Sequence, residues 1–271
     1  MKINFSKYQG TGNDFILIDN SQLLINHSPE LALNLCDRHF GIGSDGLIII
    51  EPSTDTDFNM VFYNPDGSKS FCGNGSRCAV KFANDIGIIG KNKISFNSTD
   101  GIHGAEILSN QIELQMHNPV LSQAMLSEKE LPILNKICIN TGSPHLILFI
   151  DSKMNILEID VKHYGSKIRY NNLFKKEGIN VNFVSIDADD HISIRTYERG
   201  VEDETLSCGT GVTAAAIAYH SIYKGTTGSH CIKVKAIGGD LETKFEYKNN
   251  QYTGTTLCGP ALKVFSGLIE I

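Results

Sequence analysis

The sequence contains one short turn twice. Cys72-Gly73-Asn74-Gly75 returns as Cys208-Gly209-Thr210-Gly211, 136 positions later, and each copy opens a stretch with helical spacing. Echoes on either side follow in order: Thr11-Gly12 with Thr141-Gly142, Tyr63-Asn64 with Tyr197-Glu198, Lys93-Ile94 with Lys233-Val234, and Asn110-Gln111 with Asn250-Gln251. Their offset drifts upward from 130 to 140 along the chain, as insertions in the second copy would make it do, whereas chance matches would scatter. An internal duplication of about half the chain accounts for this. Two copies of one unit predict two lobes related by a pseudo-two-fold axis. Each lobe then presents its Cys-Gly-x-Gly turn to a cleft between them, so that two thiols face one ligand from opposite sides.

The apolar patterning predicts an α+β fold. Strands are expected at Phe15 to Asp19, Gly46 to Glu51, Asp57 to Tyr63, Lys93 to Asn97, His103 to Leu108 and Ile112 to Met116. Ser28-Pro29-Glu30 is a helix start, with the helix ending near Gly41, and the spacing of Ala79, Phe82, Ala83 and Ile86 predicts a helix from Gly75 to Gly87. The second copy repeats the scheme with strands at Leu146 to Ile150, Val181 to Ile186, Ile192 to Tyr197, Ile232 to Ala236, Leu241 to Tyr247 and Tyr252 to Leu257. Its helix from Gly211 is nearly apolar all round and should be buried. Each lobe is therefore expected to be a curved, mostly antiparallel, barrel-like sheet around a central helix. Residues 1–118, with 261–271 returning to add a strand, form the N-terminal lobe; 119–260 form the C-terminal lobe, entered through an unpatterned linker from Pro119 to Pro132.

With 24 basic and 30 acidic residues the net charge is −6, which provides no electrostatic footprint for nucleic acid or an anionic membrane. No stretch approaches the 18 consecutive apolar residues of a spanning helix, and the N-terminus lacks a secretory pattern, so a soluble cytoplasmic protein with a small-molecule ligand is expected. Seven cysteines without a C-x-x-C pair fit neither a disulfide framework nor a common zinc module, and no metal is expected. Cys36, Cys78, Cys138, Cys231 and Cys258 read as small buried hydrophobes.

Cys72 and Cys208 read differently. A thiol at a helix N-terminus lies near backbone N–H groups and the positive end of the helix dipole, both of which favour thiolate. The N–H groups of Gly73, Asn74, Gly209 and Thr210 form a cradle for a carboxylate. A carboxylate held there places its α-carbon between two sulfurs. One, as thiolate, removes the α-proton; the other, as thiol, returns a proton to the opposite face. The cradle stabilises the enolate-like charge that develops. Such a reaction inverts a stereocentre without a cofactor.

Asn13-Asp14-Phe15 after Gly10-Thr11-Gly12, Tyr63-Asn64-Pro65-Asp66-Gly67, Cys72 to Arg77, Glu198-Arg199-Gly200 and Leu206 to Gly211 together resemble the diaminopimelate epimerase family over almost the whole chain. The resemblance implies pyridoxal-phosphate-independent interconversion of LL- and meso-2,6-diaminopimelate, a step toward lysine and the peptidoglycan cross-link, by a homodimer. It implies Cys72 and Cys208 as catalytic bases, and Asn13, Asn64, Asn180, Glu198 and Arg199 as substrate-binding residues beside the cradle. It also implies His145 and Glu198 as groups that tune the thiols. Two positions depart from the pattern: Ser143 stands where many relatives have Asn, and Gly46 where some have Gln. The other enzymatic reading of the same thiols is a racemase of another amino acid, and a redox pair or an inactive binding module are the readings outside that class.

Overall fold

Thr11 and Gly12 both have positive φ, 52° and 85°, as a two-residue hairpin turn with the twist of its strands requires. They join β1 (Lys2–Gly10) to β2 (Asn13–Asp19) and set Gly10 opposite Asn13. The structure is a computed structural model and describes residues 1–123, 126 and 131–270. From β2 the chain passes through α1 (Pro29–Cys36) to β3 (Gly46–Glu51), which lies parallel to β2. β4 (Phe58–Tyr63) returns antiparallel, and α2 (Gly73–Asp85) carries the chain to β5 (Lys93–Ser98), parallel to β4. The antiparallel strands β6 (Gly101–Ile107) and β7 (Ile112–Gln115) follow.

The continuous apolar runs of β2 and β3 reflect burial on both faces. Ala32, Leu35 and Cys36 of α1 pack with Ile16, Ile18, Leu47 and Ile49, while α2 lies on the other face, its Gly75 against Phe15 and Ile48. Helix α1 stops at Cys36 rather than near Gly41. The Asp37 carboxylate accepts from the N–H groups of His39 and Phe40 at 2.7 Å, and this turn diverts the backbone.

The same order of pairings recurs. β8 (Val120–Gln123) and β9 (Ile133–Asn140) are antiparallel, as are β9 and β10 (Pro144–Ile150). Helix α3 (Val161–Arg169) leads to β11 (Asn180–Ala188), parallel to β10; β12 (His191–Glu198) is antiparallel to β11. After the short β13 (Asp203–Thr205), α4 (Gly209–Tyr219) leads to β14 (Gly228–Ala236), which runs parallel to β12 and pairs with β15 (Gly239–Lys248), itself paired with β16 (Gln251–Gly259). Finally β17 (Leu262–Glu270) runs antiparallel along β1, from Gln9↔Leu262 to Lys2↔Glu270. Each half is thus a mixed, mostly antiparallel sheet with two helices, one in each parallel crossover.

By contacts the chain divides into Met1–Gln115 with Gly259–Ile271, and Met116–Cys258. The boundaries expected from the sequence, 118 and 260, lie two or three residues further on. The expected unpatterned linker contains β8, paired with β9 from Val120↔Asn140 to Gln123↔Ile137. Its residues 124, 125 and 127–130 lie outside those described, as does Ile271 of the expected returning strand. Helix α4 is buried from Gly211 to Tyr219, as its apolar circumference requires. Cys36, Cys78 and Cys258 are buried as expected, but Cys138 is half-buried and Cys231 exposed. Alternation in β14 turns Ile232 and Val234 inward, and Cys231 lies outward with Lys233.

Candidate active site

In the first unit Cys72 is the N-cap of α2, its backbone extended at φ −135° and ψ 113°. The sulfur accepts from the Gly75 N–H at 3.4 Å and lies 3.8 Å from Asn13 Oδ1. Asn13 reaches it because the Thr11-Gly12 turn brings the start of β2 beside the start of α2. Its amide orientation follows from its partners: Nδ2 donates to Asp45 Oδ2 at 2.7 Å, which turns Oδ1 toward Cys72 and toward Asn74 Nδ2 at 3.4 Å. Asp45 is held by Arg38, which also binds Asp14. Burial raises the Asp14 carboxyl, but bonds from Arg38 and Lys7 outweigh it and leave it below the usual carboxylate range. Arg77, fully buried one turn into α2, donates to Asn74 Oδ1 at 3.0 Å and to Thr11 Oγ1 at 3.3 Å. On the same helix, burial pushes the Cys78 thiol up to about 12, so Cys78 is a structural thiol.

In the second unit Cys208 caps α4 in the same extended conformation, φ −116° and ψ 111°, and is buried. Its Sγ lies 3.5 Å from Thr210 Oγ1. The Thr141-Gly142 turn stands beside this helix start as Thr11-Gly12 does beside α2: Thr141 Oγ1 donates to the Thr210 carbonyl at 2.9 Å. His145, wholly buried on β10, places Nε2 2.9 Å from Thr210 Oγ1 and Nδ1 3.2 Å from Asn182 Nδ2. Burial, aided by the charge of Arg199, pulls this imidazole down to about 3 against the bond from Asn182, so it is neutral at neutral pH. Gly211 permits the close approach. A Cβ there would lie 2.6 Å from Asn182 Oδ1 and 3.3 Å from His145 Cε1.

The remaining expected residues fall into smaller groups. Asn180, at the start of β11, donates to Ser143 Oγ and the Pro144 carbonyl, both at 2.9 Å, and accepts from the Arg199 N–H at 2.8 Å. Ser143 thus provides a hydrogen bond to Asn180. The Arg199 guanidinium donates to the Glu177 carbonyl, and Glu198 accepts from Thr205 Oγ1 at 2.9 Å. Asn64 is engaged within its own turn, donating to Ser68 and Ser70. Gly73 and Asn74, like Gly209 and Thr210, occupy the first two positions of their helices, where N–H groups face outward along the axis. At Gly46 the room for a side chain is taken by Phe62, whose Cε2 would lie 2.4 Å from a Cβ.

Sequence reasoning missed Asp45, which orients Asn13, and Asn182, which contacts His145. Asn182 was visible in principle: it lies two residues after Asn180 on a strand and therefore shares its face. Asp45 carried no local signal, since its partner is 32 positions away.

Solved structures with this architecture include a phenazine biosynthesis protein of the PhzF family from Bacillus anthracis, matching 100% of both chains with a TM-score of 0.80 at 15% identity. A hydroxyproline epimerase from Agrobacterium vitis matches over 99% of this chain and 91% of its own, with a TM-score of 0.71 at 12% identity. The chain has the PhzF and proline racemase-like fold, with a thiol at the start of a helix in each half. The diaminopimelate epimerase family model matches residues 5–122 and 137–264. Diaminopimelate epimerase of Flavobacterium psychrophilum is 49% identical over 97% of this chain and 98% of its own length; that of Chlorobaculum tepidum is 41% identical over 97% and 99%. The chain belongs to the diaminopimelate epimerase family.

Proposed function

We propose that this chain carries out the reaction of its family, the interconversion of LL- and meso-2,6-diaminopimelate, with Cys72 and Cys208 as its proton-transfer groups. The observation that supports this most directly is the family match itself. It falls in two segments, 5–122 and 137–264, and each contains one of the two cysteine turns. The product serves lysine and peptidoglycan synthesis.

In this reading one sulfur begins as thiolate and the other as thiol. The thiolate takes the α-proton and becomes S–H, the electron pair moves into the substrate carboxylate as an enolate, and the second S–H returns a proton to the opposite face. The N–H groups of Gly73, Asn74, Gly209 and Thr210 stabilise that enolate more than the ground state. Two thiols supply both acid and base, so the step needs no cofactor. Asn64, Asn180, Glu198 and Arg199 bind the distal amino-carboxylate through hydrogen bonds and charge. Asn13 presents Oδ1 to the reacting end.

Incubating the reduced protein with LL-diaminopimelate in deuterated water tests the reading. Meso product carrying solvent deuterium at one α-carbon is expected, and Cys72→Ala and Cys208→Ala should each abolish it while unfolding remains cooperative. No exchange by folded, reduced protein would rule out this substrate. The family resemblance further implies a homodimer in the cytoplasm. Among the described residues no helix is long and apolar enough to cross a membrane, and a sedimentation coefficient of a monomer at working concentration would refute the dimer.

A further inference from the structure

Asn182 is fully buried on β11, opposite Ile147 on one neighbouring strand and Thr196 on the other. Its amide can be oriented without ambiguity. Oδ1 accepts from the Thr196 hydroxyl at 3.0 Å, while Nδ2 lies 3.1 Å from the Leu146 carbonyl and 3.3 Å from that of Asn180. Carbonyl oxygens only accept, so the edge facing them is the NH2 group. The same NH2 group stands 3.2 Å from His145 Nδ1, which must therefore accept.

A neutral imidazole that accepts at Nδ1 carries its proton on Nε2. That N–H points at Thr210 Oγ1, 2.9 Å away, and occupies a lone pair of the hydroxyl. The hydroxyl proton is then available to Cys208 Sγ at 3.5 Å. We infer that Asn182 is a positioning residue for Cys208: by fixing the His145 tautomer it aims the Thr210 hydroxyl proton at the sulfur, where it stabilises the thiolate. The relay runs Asn182 N–H to His145 Nδ1, His145 Nε2–H to Thr210 Oγ1, and Thr210 O–H to Cys208 Sγ. With the opposite tautomer His145 Nδ1–H would face the Asn182 NH2, donor against donor, and the two later bonds would reverse. His145 Nε2 would then accept from Thr210, and the hydroxyl would offer Cys208 only a lone pair, which disfavours the thiolate.

The inference rests on Cys208 being a proton-transfer group, but its test does not require turnover. The ring nitrogens of His145 in the 15N-labelled protein should show the Nε2–H tautomer, assigned by loss of the signal in His145→Gln. Alkylation of Cys208 by iodoacetamide at fixed pH, followed by peptide mass spectrometry, reports its thiolate fraction. Thr210→Val should slow that alkylation roughly tenfold, a shift of about one pKa unit, and Thr210→Ser should restore it. Asn182→Asp, if its thermal unfolding stays cooperative, should switch the tautomer and slow alkylation to the same extent, with kcat falling and KM nearly unchanged.

An Nδ1–H tautomer in the unaltered protein overturns the inference even if Asn182→Asp does not fold. So does an unchanged alkylation rate in Thr210→Val. If the unaltered protein shows the expected tautomer and alkylation pattern but does not epimerise diaminopimelate, the substrate reading fails and the positioning role stands.

Discussion

Burying His145 denies the folded chain a proton that the unfolded chain binds. The unfolded imidazole takes up its proton near 6.5 and the folded one, pulled down by burial, at about 3. Between those values the unfolded state holds more protons, so stability rises with pH across that window and is lost on acidification, with a slope of about 1.4 kcal/mol per pH unit. Chemical denaturation from pH 7 to 4 should show this slope, and the difference between the unaltered protein and His145→Gln isolates it from carboxylates such as Asp14. An equal slope in both would show that His145 is not the group responsible. At this scale the sequence was legible where chemistry and local spacing coincide. Cys72 and Cys208 stood out because a helix start, two glycines and a thiol are adjacent, twice. Asp45 and Asn182 did not, because their roles arise from partners distant in sequence.

Helices α2 and α4 show how the same device can be built from different sequences. Both begin on a cysteine in extended conformation. The first has a buried arginine one turn in, the second an almost entirely apolar surface, so only the second was recognisable as central from composition. Its alanines are shut off from solvent: Ala214, Ala215 and Ala216 are all fully buried. Ala215→Leu should therefore destabilise the fold by about 1–3 kcal/mol through overpacking, readable as a lower denaturation midpoint at constant m-value. No change would mean unfilled space beside the helix. Helix α3 was not expected from the sequence, and Gly165 in its middle is ordinarily a helix-weakening residue. A Cβ at Gly165 would meet Tyr197 Cβ at 2.4 Å; the glycine is there so that the helix can lie against β12. Strand β1 was obscured because its alternation of Ile3 and Phe5 is interrupted at Lys7, a buried charged residue paired with Asp14 at 2.7 Å.

Across the molecule, the drift of matched residues in the sequence reappears as one order of strand pairings found twice, with a helix in each parallel crossover. Insertions changed the loops and spared the pairings. The last described strand belongs to the first unit: Ser6 and Ser266, 260 positions apart, face each other at 3.1 Å. Truncation after Pro260 removes that strand and leaves the β1 backbone edge open. Limited proteolysis should then cleave within residues 1–115 while 131–258 remain protected; protection of both would show that β17 is dispensable.

The position of β17 also sets an order for synthesis on the ribosome. A growing chain emits β1 long before β17, and at roughly 5–20 residues per second the interval between them is on the order of tens of seconds. All of Met116–Cys258 emerges within that interval. The segment begun first is thus the one that closes last, and until it does, its exposed edge is in the keeping of whatever holds nascent chains apart.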